Sequence, residues 1–178
     1  MIMDELKIHE LFDLTGKVAI VTGASRGLGK AYSIGLAKAG ANVVAVDISD
    51  VSETVDEIKK LGRETIGIKV DVSKKVDVEA MVKQTVEKFS RIDILVNNAG
   101  ISITGPTETM KEEDWDKVMA INLKGQFLCA QEVGKHMIEQ RSGKIINQSS
   151  LTGLVGFPQA TAYNSSKGGT ILLTKTLA

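Results

Sequence analysis

Short β-branched runs alternate with longer stretches of helical periodicity along most of the chain. Residues 17–22, 42–46, 65–70, 92–96 and 144–147 each form a compact apolar block, as strands buried on both faces do. Between them the apolar positions recur at helical spacing. Val51, Val55, Ile58 and Leu61 precede a stop at Gly62, and Val78, Val82, Val86 and Phe89 fall within 76–89. Residues 30–39 read as a helix closed by Gly40, residues 112–139 as one long helix, and a last helix holds Tyr163. Such alternation with short links predicts an α/β fold, a doubly wound parallel sheet with helices on both faces. No internal repeat or linker interrupts the rhythm, so residues 1–178 read as one domain. Residues 1–16 are expected to pack on it as a leader, anchored by Leu11, Phe12 and Leu14 and turning at Gly16.

Composition narrows the function classes. A hydrophobic fraction of 43% in 178 residues suffices for a real core, and zero formal charge leaves no nucleic-acid or acidic-lipid footprint. Two histidines and one cysteine make neither a zinc cluster nor a disulfide framework, so no metal is expected. Cys129 lies in an apolar helical stretch and is expected to be a buried thiol. The amino end lacks a secretory signal, and no run of 18 apolar residues occurs. A cytoplasmic protein without membrane or nucleic-acid partners is the expectation.

Glycines at 23, 27 and 29 sit between the first strand and the first helix. There they permit a tight turn, close approach of backbone to a pyrophosphate, and exposure of helix N-terminal N–H groups to it. The spacing is G-x-x-x-G-x-G. A phosphate-cradling P-loop is a near miss, because Ala31 follows Lys30 where Ser or Thr is required. Asp47 closes the second strand, where its carboxylate can accept hydrogen bonds from an adenosine ribose and repel a 2′-phosphate. That favours NAD over NADP, although Arg26 in the turn could meet such a phosphate. Asp71, at the end of the third strand, is a candidate partner for the adenine amino group or an ordinary helix cap.

Tyr163 and Lys167 are four residues apart in the last helix and share one face. A free phenol has a pKa of about 10, and a fixed cation beside it favours the phenolate, giving a general acid or base usable near neutrality. The Y-x-x-x-K pattern arises easily by chance, so its weight comes from what lies upstream.

Taken together, Thr22-Gly23-x-x-x-Gly27-x-Gly29, Asn97-Asn98-Ala99-Gly100, Asn122, Ser150 and Tyr163-x-x-x-Lys167 resemble the short-chain dehydrogenase/reductase family. The match runs in order from about residue 14 to residue 178. The resemblance implies a Rossmann-type fold, a nicotinamide cofactor and hydride transfer to or from a small alcohol or ketone. It implies dinucleotide contacts at Gly23, Ser25, Arg26, Gly27, Leu28 and Gly29, at Asp47 and Ile48, at Asp71 and Val72, at Asn98, Ala99 and Gly100, and at Tyr163 and Lys167. Ser150 and Tyr163 would bind substrate, Tyr163 moving the proton. Lys167 would tune Tyr163 and hold the nicotinamide ribose, and Asn122 would anchor a water reaching Lys167. Ser149 is expected to be structural. Family members commonly form homodimers or homotetramers through the helices holding Asn122 and Tyr163, where Leu123, Phe127, Ile171 and Leu172 fit such an interface.

Members usually run on through two more strands and a substrate lid, so the chain reads as lacking that part, with its fifth strand left as an apolar edge. Residues 8–17 resemble the start of sugar-acid members such as gluconate dehydrogenases. A 3-oxoacyl thioester reductase using NADP(H) is the alternative within the class, and a non-catalytic NAD-binding fragment the alternative outside it. A nucleotide-sugar epimerase shares the Tyr and Lys but usually carries a G-x-x-G-x-x-G turn.

Overall fold

Alternate residues of the central strands face two different layers of helices. The computed structural model describes residues 11–178. Strands β1 (Val18–Thr22), β2 (Asn42–Asp47), β3 (Thr65–Lys69), β4 (Ile94–Asn97) and β5 (Lys144–Asn147) form one parallel sheet in the order β3-β2-β1-β4-β5. The helices are α1 (Gly27–Lys38), α2 (Ser52–Lys60), α3 (Lys75–Phe89), α4 (Glu112–Met119), α5 (Gly125–Glu139) and α6 (Thr161–Leu177). Val18, Ile20, Val44, Val46 and Leu95 pack with Val78, Met81 and Val82 of α3 and with Leu128, Cys129 and Val133 of α5. Ala19, Val21, Val43, Ala45, Ile94 and Val96 pack against Tyr32, Leu36 and Ala37 of α1 and Val55 and Ile58 of α2. Each fully buried Val or Ile stabilises the fold by about 1.5–3 kcal/mol. The second face is lined by small residues, so its helices lie close: a Cβ added at Gly67 would stand 2.6 Å from Val51 Cγ2.

The fold class follows the expectation, with instructive departures. Helix α1 starts at Gly27, a turn earlier than its periodicity predicts; glycine's poor helix propensity hides that start, and of the added turn only Gly29 is buried. The long stretch 112–139 is not one uniform helix. A turn of π-helix, Ala120–Lys124, separates α4 from α5 and contains Asn122. Of the anchors expected in the leader, Leu14 packs on the α1 and α2 layer, but Leu11 and Phe12 are 63% and 69% exposed. Leu14 is held by its N–H donating to the Ala39 carbonyl, whereas the two earlier side chains lie outside the core. Residues 1–10 of that leader, and with them the first part of the sugar-acid-like stretch, lie outside the described residues. Cys129 is fully buried, and burial pushes its thiol pKa up to about 12. Strand β5 is a sheet edge on which Ile146 stands 52% exposed.

Asp93, just before β4, is a buried charge that the sequence does not single out. It accepts the Val18 N–H at 2.9 Å and two bonds from Arg91 at 2.7 and 2.6 Å. Burial alone would raise its pKa, but the Arg91 bonds, the Val18 N–H and the Arg91 and Lys17 charges together hold it below the ordinary value. A depressed folded-state pKa gives stability that is present above the unfolded value of about 3.9 and lost as pH falls through the folded one. Asp93→Asn should therefore melt below the parent at neutral pH, and the gap should close as pH drops below about 4 in a series of thermal melts.

Candidate active site

Strand order reverses between β1 and β4, and the crevice at their carboxyl ends is where open α/β sheets bind ligands. The glycine turn is built into this crevice by the tip of β4. Asn98 Nδ2 donates to the carbonyls of Thr22 at 3.0 Å and Gly23 at 3.3 Å, and the Thr22 hydroxyl accepts the N–H groups of Asn98 and Ala99. Gly23 and Gly27 have φ of +70° and +57°, which glycine adopts without strain. A Cβ on Gly29 would lie 2.0 Å from the Gly23 carbonyl oxygen, so no other residue fits there. The Arg26 side chain does not cap α1, which leaves its N-terminal N–H groups for an anion.

A cavity of about 410 Å³ opens over this turn. Its walls bring together Gly23, Ser25, Arg26, Gly27, Leu28, Asp47, Ile48, Asp71, Val72, Asn98, Ala99 and Gly100. Gly29 is not on the wall; it is buried beneath it. Ser49, Val70, Ile101 and Ile121 also line the cavity and were not foreseen; their signal was adjacency to strand ends and to Asn122. Asp47 stands at the rim, Oδ2 accepting the Ser25 N–H at 3.0 Å and Oδ1 the Ser49 N–H at 2.9 Å. Asp71 accepts both the N–H and the hydroxyl of Ser73, which hold its pKa below the ordinary value despite partial burial. It closes a turn ahead of α3, whose N-cap position is Lys74. Lys30 is engaged elsewhere, by Glu53 at 2.6 Å and Glu57 at 2.8 Å on α2, which disposes of the P-loop near miss.

Tyr163 and Lys167 form a second group that is not on the wall of this cavity, and Ser150 lies on the loop packed against their helix. Lys167 is only 3% exposed, and its Nζ lies 5.5 Å from the centre of the Tyr163 ring and donates to the Gln148 carbonyl at 2.6 Å. Burial pulls the Lys167 pKa below the ordinary lysine value. The Ser150 oxygen accepts from the Thr152 N–H at 3.2 Å and the Thr152 hydroxyl at 3.1 Å, so its own proton is free to donate. Ser149 donates to the Lys167 carbonyl, and Gly153 approaches α6 so closely that a Cβ there would meet that carbonyl carbon at 2.7 Å. The loop carrying Ser150 is thereby fastened to the Lys167 turn of α6.

Asn122 joins the two groups. Its amide clamps the main chain of Ile101 on the cavity wall, accepting the N–H and donating to the carbonyl, both at 2.8 Å. It donates again to Ser166 Oγ of α6 at 3.1 Å. Both amide donors are thus used inside the fold.

An open glycine turn, a carboxylate one strand away and a Tyr–Lys pair at the same sheet end are features of an α/β domain that can hold a dinucleotide. Residues 17–178 match the short chain dehydrogenase family, and the chain belongs to it. A 3-oxoacyl-[acyl-carrier-protein] reductase of Synechocystis is 45% identical over 168 residues, 93% of this chain and 68% of that protein. A solved structure described as a short-chain alcohol dehydrogenase from Sinorhizobium meliloti superposes with a TM-score of 0.91 at 40% identity, covering 94% of this chain and 67% of that one. NAD+-bound xylitol dehydrogenase gives 0.90 at 34% identity, covering 92% and 64%. The chain therefore spans about two thirds of the length of these relatives. It is an oxidoreductase of the NAD(P)-dependent type. Among the described residues no helix is long and apolar enough to cross a membrane.

The glycine turn makes a differential prediction. Gly29→Ala should cost about 1–3 kcal/mol of stability by overpacking and abolish dinucleotide binding. Gly35→Ala, in the same helix with nothing within 4 Å of the new Cβ, should be neutral or stabilising by up to about 1 kcal/mol. Thermal melts and calorimetric titration with NAD read both.

Proposed function

We propose that the protein interconverts a small alcohol and its carbonyl compound with NAD(H), Tyr163 managing the proton. The observation that carries this reading is the buried Lys167 ammonium beneath the Tyr163 ring, on the helix to which the Ser150 loop is fastened. When bound, the dinucleotide supplies hydride acceptance or donation. The chain's own residues do the rest. The turn from Gly23 to Gly29 seats the pyrophosphate at the start of α1, and Asp47 takes the adenosine ribose. Asp71 faces the adenine side of the cavity. Ser150 donates its free hydroxyl proton to the substrate oxygen, and Tyr163 removes the alcohol proton in oxidation or returns it in reduction. The Lys167 ammonium, fixed at the face of the Tyr163 ring, holds the second ribose. With the Asn122 amide occupied, a water relay to Lys167 would start from main-chain carbonyls of the π-helical turn.

NAD is preferred over NADP because a 2′-phosphate would have to approach the fixed Asp47 carboxylate. The similarity to an NAD+-bound xylitol dehydrogenase supports that preference. On the substrate side two readings stand. A sugar acid is suggested by the opening residues. A 3-oxoacyl thioester or another apolar ketone is favoured by the loop after Ser150, where Leu151, Leu154, Val155 and Phe157 are exposed and no residue from 145 to 163 is charged. The 45% identical acyl-carrier-protein reductase supports the second. Turnover of sugar acids against acyl thioesters, with either dinucleotide, separates them.

A homodimer or homotetramer would form through α5 and α6. Phe127 and Leu172 are 42% and 65% exposed there, and Leu123, Phe127 and Leu173 line an apolar groove. Light scattering that returned a monomer at all concentrations would rule it out.

Tyr163→Phe should lower kcat by orders of magnitude and leave NAD affinity within a few-fold, in steady-state kinetics and calorimetry. Undiminished turnover would overturn the proton-transfer role. Asp47→Ala should move the NAD/NADP ratio of kcat/KM toward NADP; an unmoved ratio would refute the ribose assignment.

A further inference from the structure

Every polar group of Gln148 has a partner, and the partners come from both sides of the sheet. Its N–H donates to the Asn97 carbonyl at 2.9 Å, continuing the β4–β5 ladder. Its carbonyl accepts the Lys167 ammonium at 2.6 Å and Gln126 Nε2 of α5 at 3.3 Å. Its side-chain Oε1 accepts the Tyr32 hydroxyl at 2.8 Å, and its Nε2 donates to the Ser149 carbonyl at 3.1 Å. Tyr32 belongs to α1, the helix whose first turn is the glycine turn, and it packs in the core layer opposite to that of α5. The residue that receives Lys167 is therefore pinned from the cofactor-turn helix.

We infer that Tyr32, acting through Gln148, is a positioning residue that holds the Lys167 ammonium beneath Tyr163. The inference rests on the proposed role of Tyr163 and Lys167. Lys167 is almost fully buried, and among the described residues its Nζ has one polar partner, the Gln148 carbonyl. That acceptor favours the charged form against desolvation. The carboxamide of Gln148, tied to Tyr32 at one end and to the Ser149 carbonyl at the other, straddles the 148–149 peptide and fixes where its carbonyl points. Loosening it frees the carbonyl to turn from Lys167. Because Tyr32 rides on α1, seating of the dinucleotide on the glycine turn and placement of the ammonium are mechanically joined. Among the described residues no other charged side chain makes a hydrogen bond or ion pair with Lys167. Asp116 and Lys124, from α4 and the π-helical turn, line the groove beside Gly169 and Leu173. Lys144 of β5 lies with Thr174 and Leu177, Lys175 is an exposed residue of the last turn, and the 151–153 turn carries no titratable side chain.

The test is the titration of Lys167 followed by NMR of side-chain-labelled lysine, its signal assigned through Lys167→Met. Tyr32→Phe removes one hydroxyl and keeps the ring, and Gln148→Met removes the carboxamide and keeps the length. Each should move the Lys167 titration down by about half a pH unit or more while the other lysines stay put, and the double variant should go no further. The alkaline limb of kcat should move in the same direction, to lower pH. A purely structural role for Tyr32 would lower the melting temperature and leave both titrations in place. An unmoved Lys167 in either single variant, or shifts that add in the double, would overturn the inference. Tyr163→Phe, run in parallel, reads the underlying proposal independently: full turnover there sinks the proton-transfer role, whatever Lys167 does.

Discussion

A lysine ammonium taken almost wholly out of water is the constraint around which the site is arranged. Desolvation of a charge is costly, and here one short bond to a main-chain carbonyl and the face of an aromatic ring offset it. Both compensations require neighbours that cannot wander. Gln148 is therefore held on all sides, and Ser149 and Gly153 lock the following loop onto the Lys167 turn of α6. The same fastening carries Ser150 with it. What looks like a list of separate polar contacts is one requirement, that the carbonyl under Lys167 stay where it is.

The cofactor crevice obeys a parallel rule. The Gly23 carbonyl and the Asn98 amide crowd the start of α1 so closely that only glycine fits at position 29, and Asn98 uses its amide to tie the turn rather than to reach outward. The open N-terminus of α1 and the Asp47 carboxylate then face one cavity. Asn122, in a π-helical turn, joins this cavity to the helix of Tyr163 and Lys167, its amide clamping Ile101 and reaching Ser166. Irregular backbone of this kind commonly marks sites of function.

Much of this was legible in the residues alone, for definite reasons. Strands buried on both faces leave unbroken apolar blocks, so all five could be placed, and parallel topology followed from their alternation with helices. The glycine spacing and the acidic strand ends pointed to the residues that line the cavity. Helix starts were less legible: α1 begins inside the glycine turn, where propensity argues against helix. Leu11 and Phe12 misled because apolar character says nothing about whether a terminal segment reaches the core. Tyr32 and Gln148 left no trace, since a lone tyrosine and a lone glutamine have no spacing to betray a bond between residues 116 apart in sequence. Nor does periodicity distinguish a π-helical turn from the α-helix around it.

The proposed function requires the phenol and the ammonium to act as a single unit. The most direct measurement is a double-mutant cycle on turnover with Tyr163→Phe, Lys167→Met and the pair combined, each folded by thermal melt and saturated with NAD. The combined variant should be hardly slower than the slower single variant, since removing either side chain disables the same step. Losses that multiply, or a Lys167→Met protein turning over at the parental rate, would contradict it.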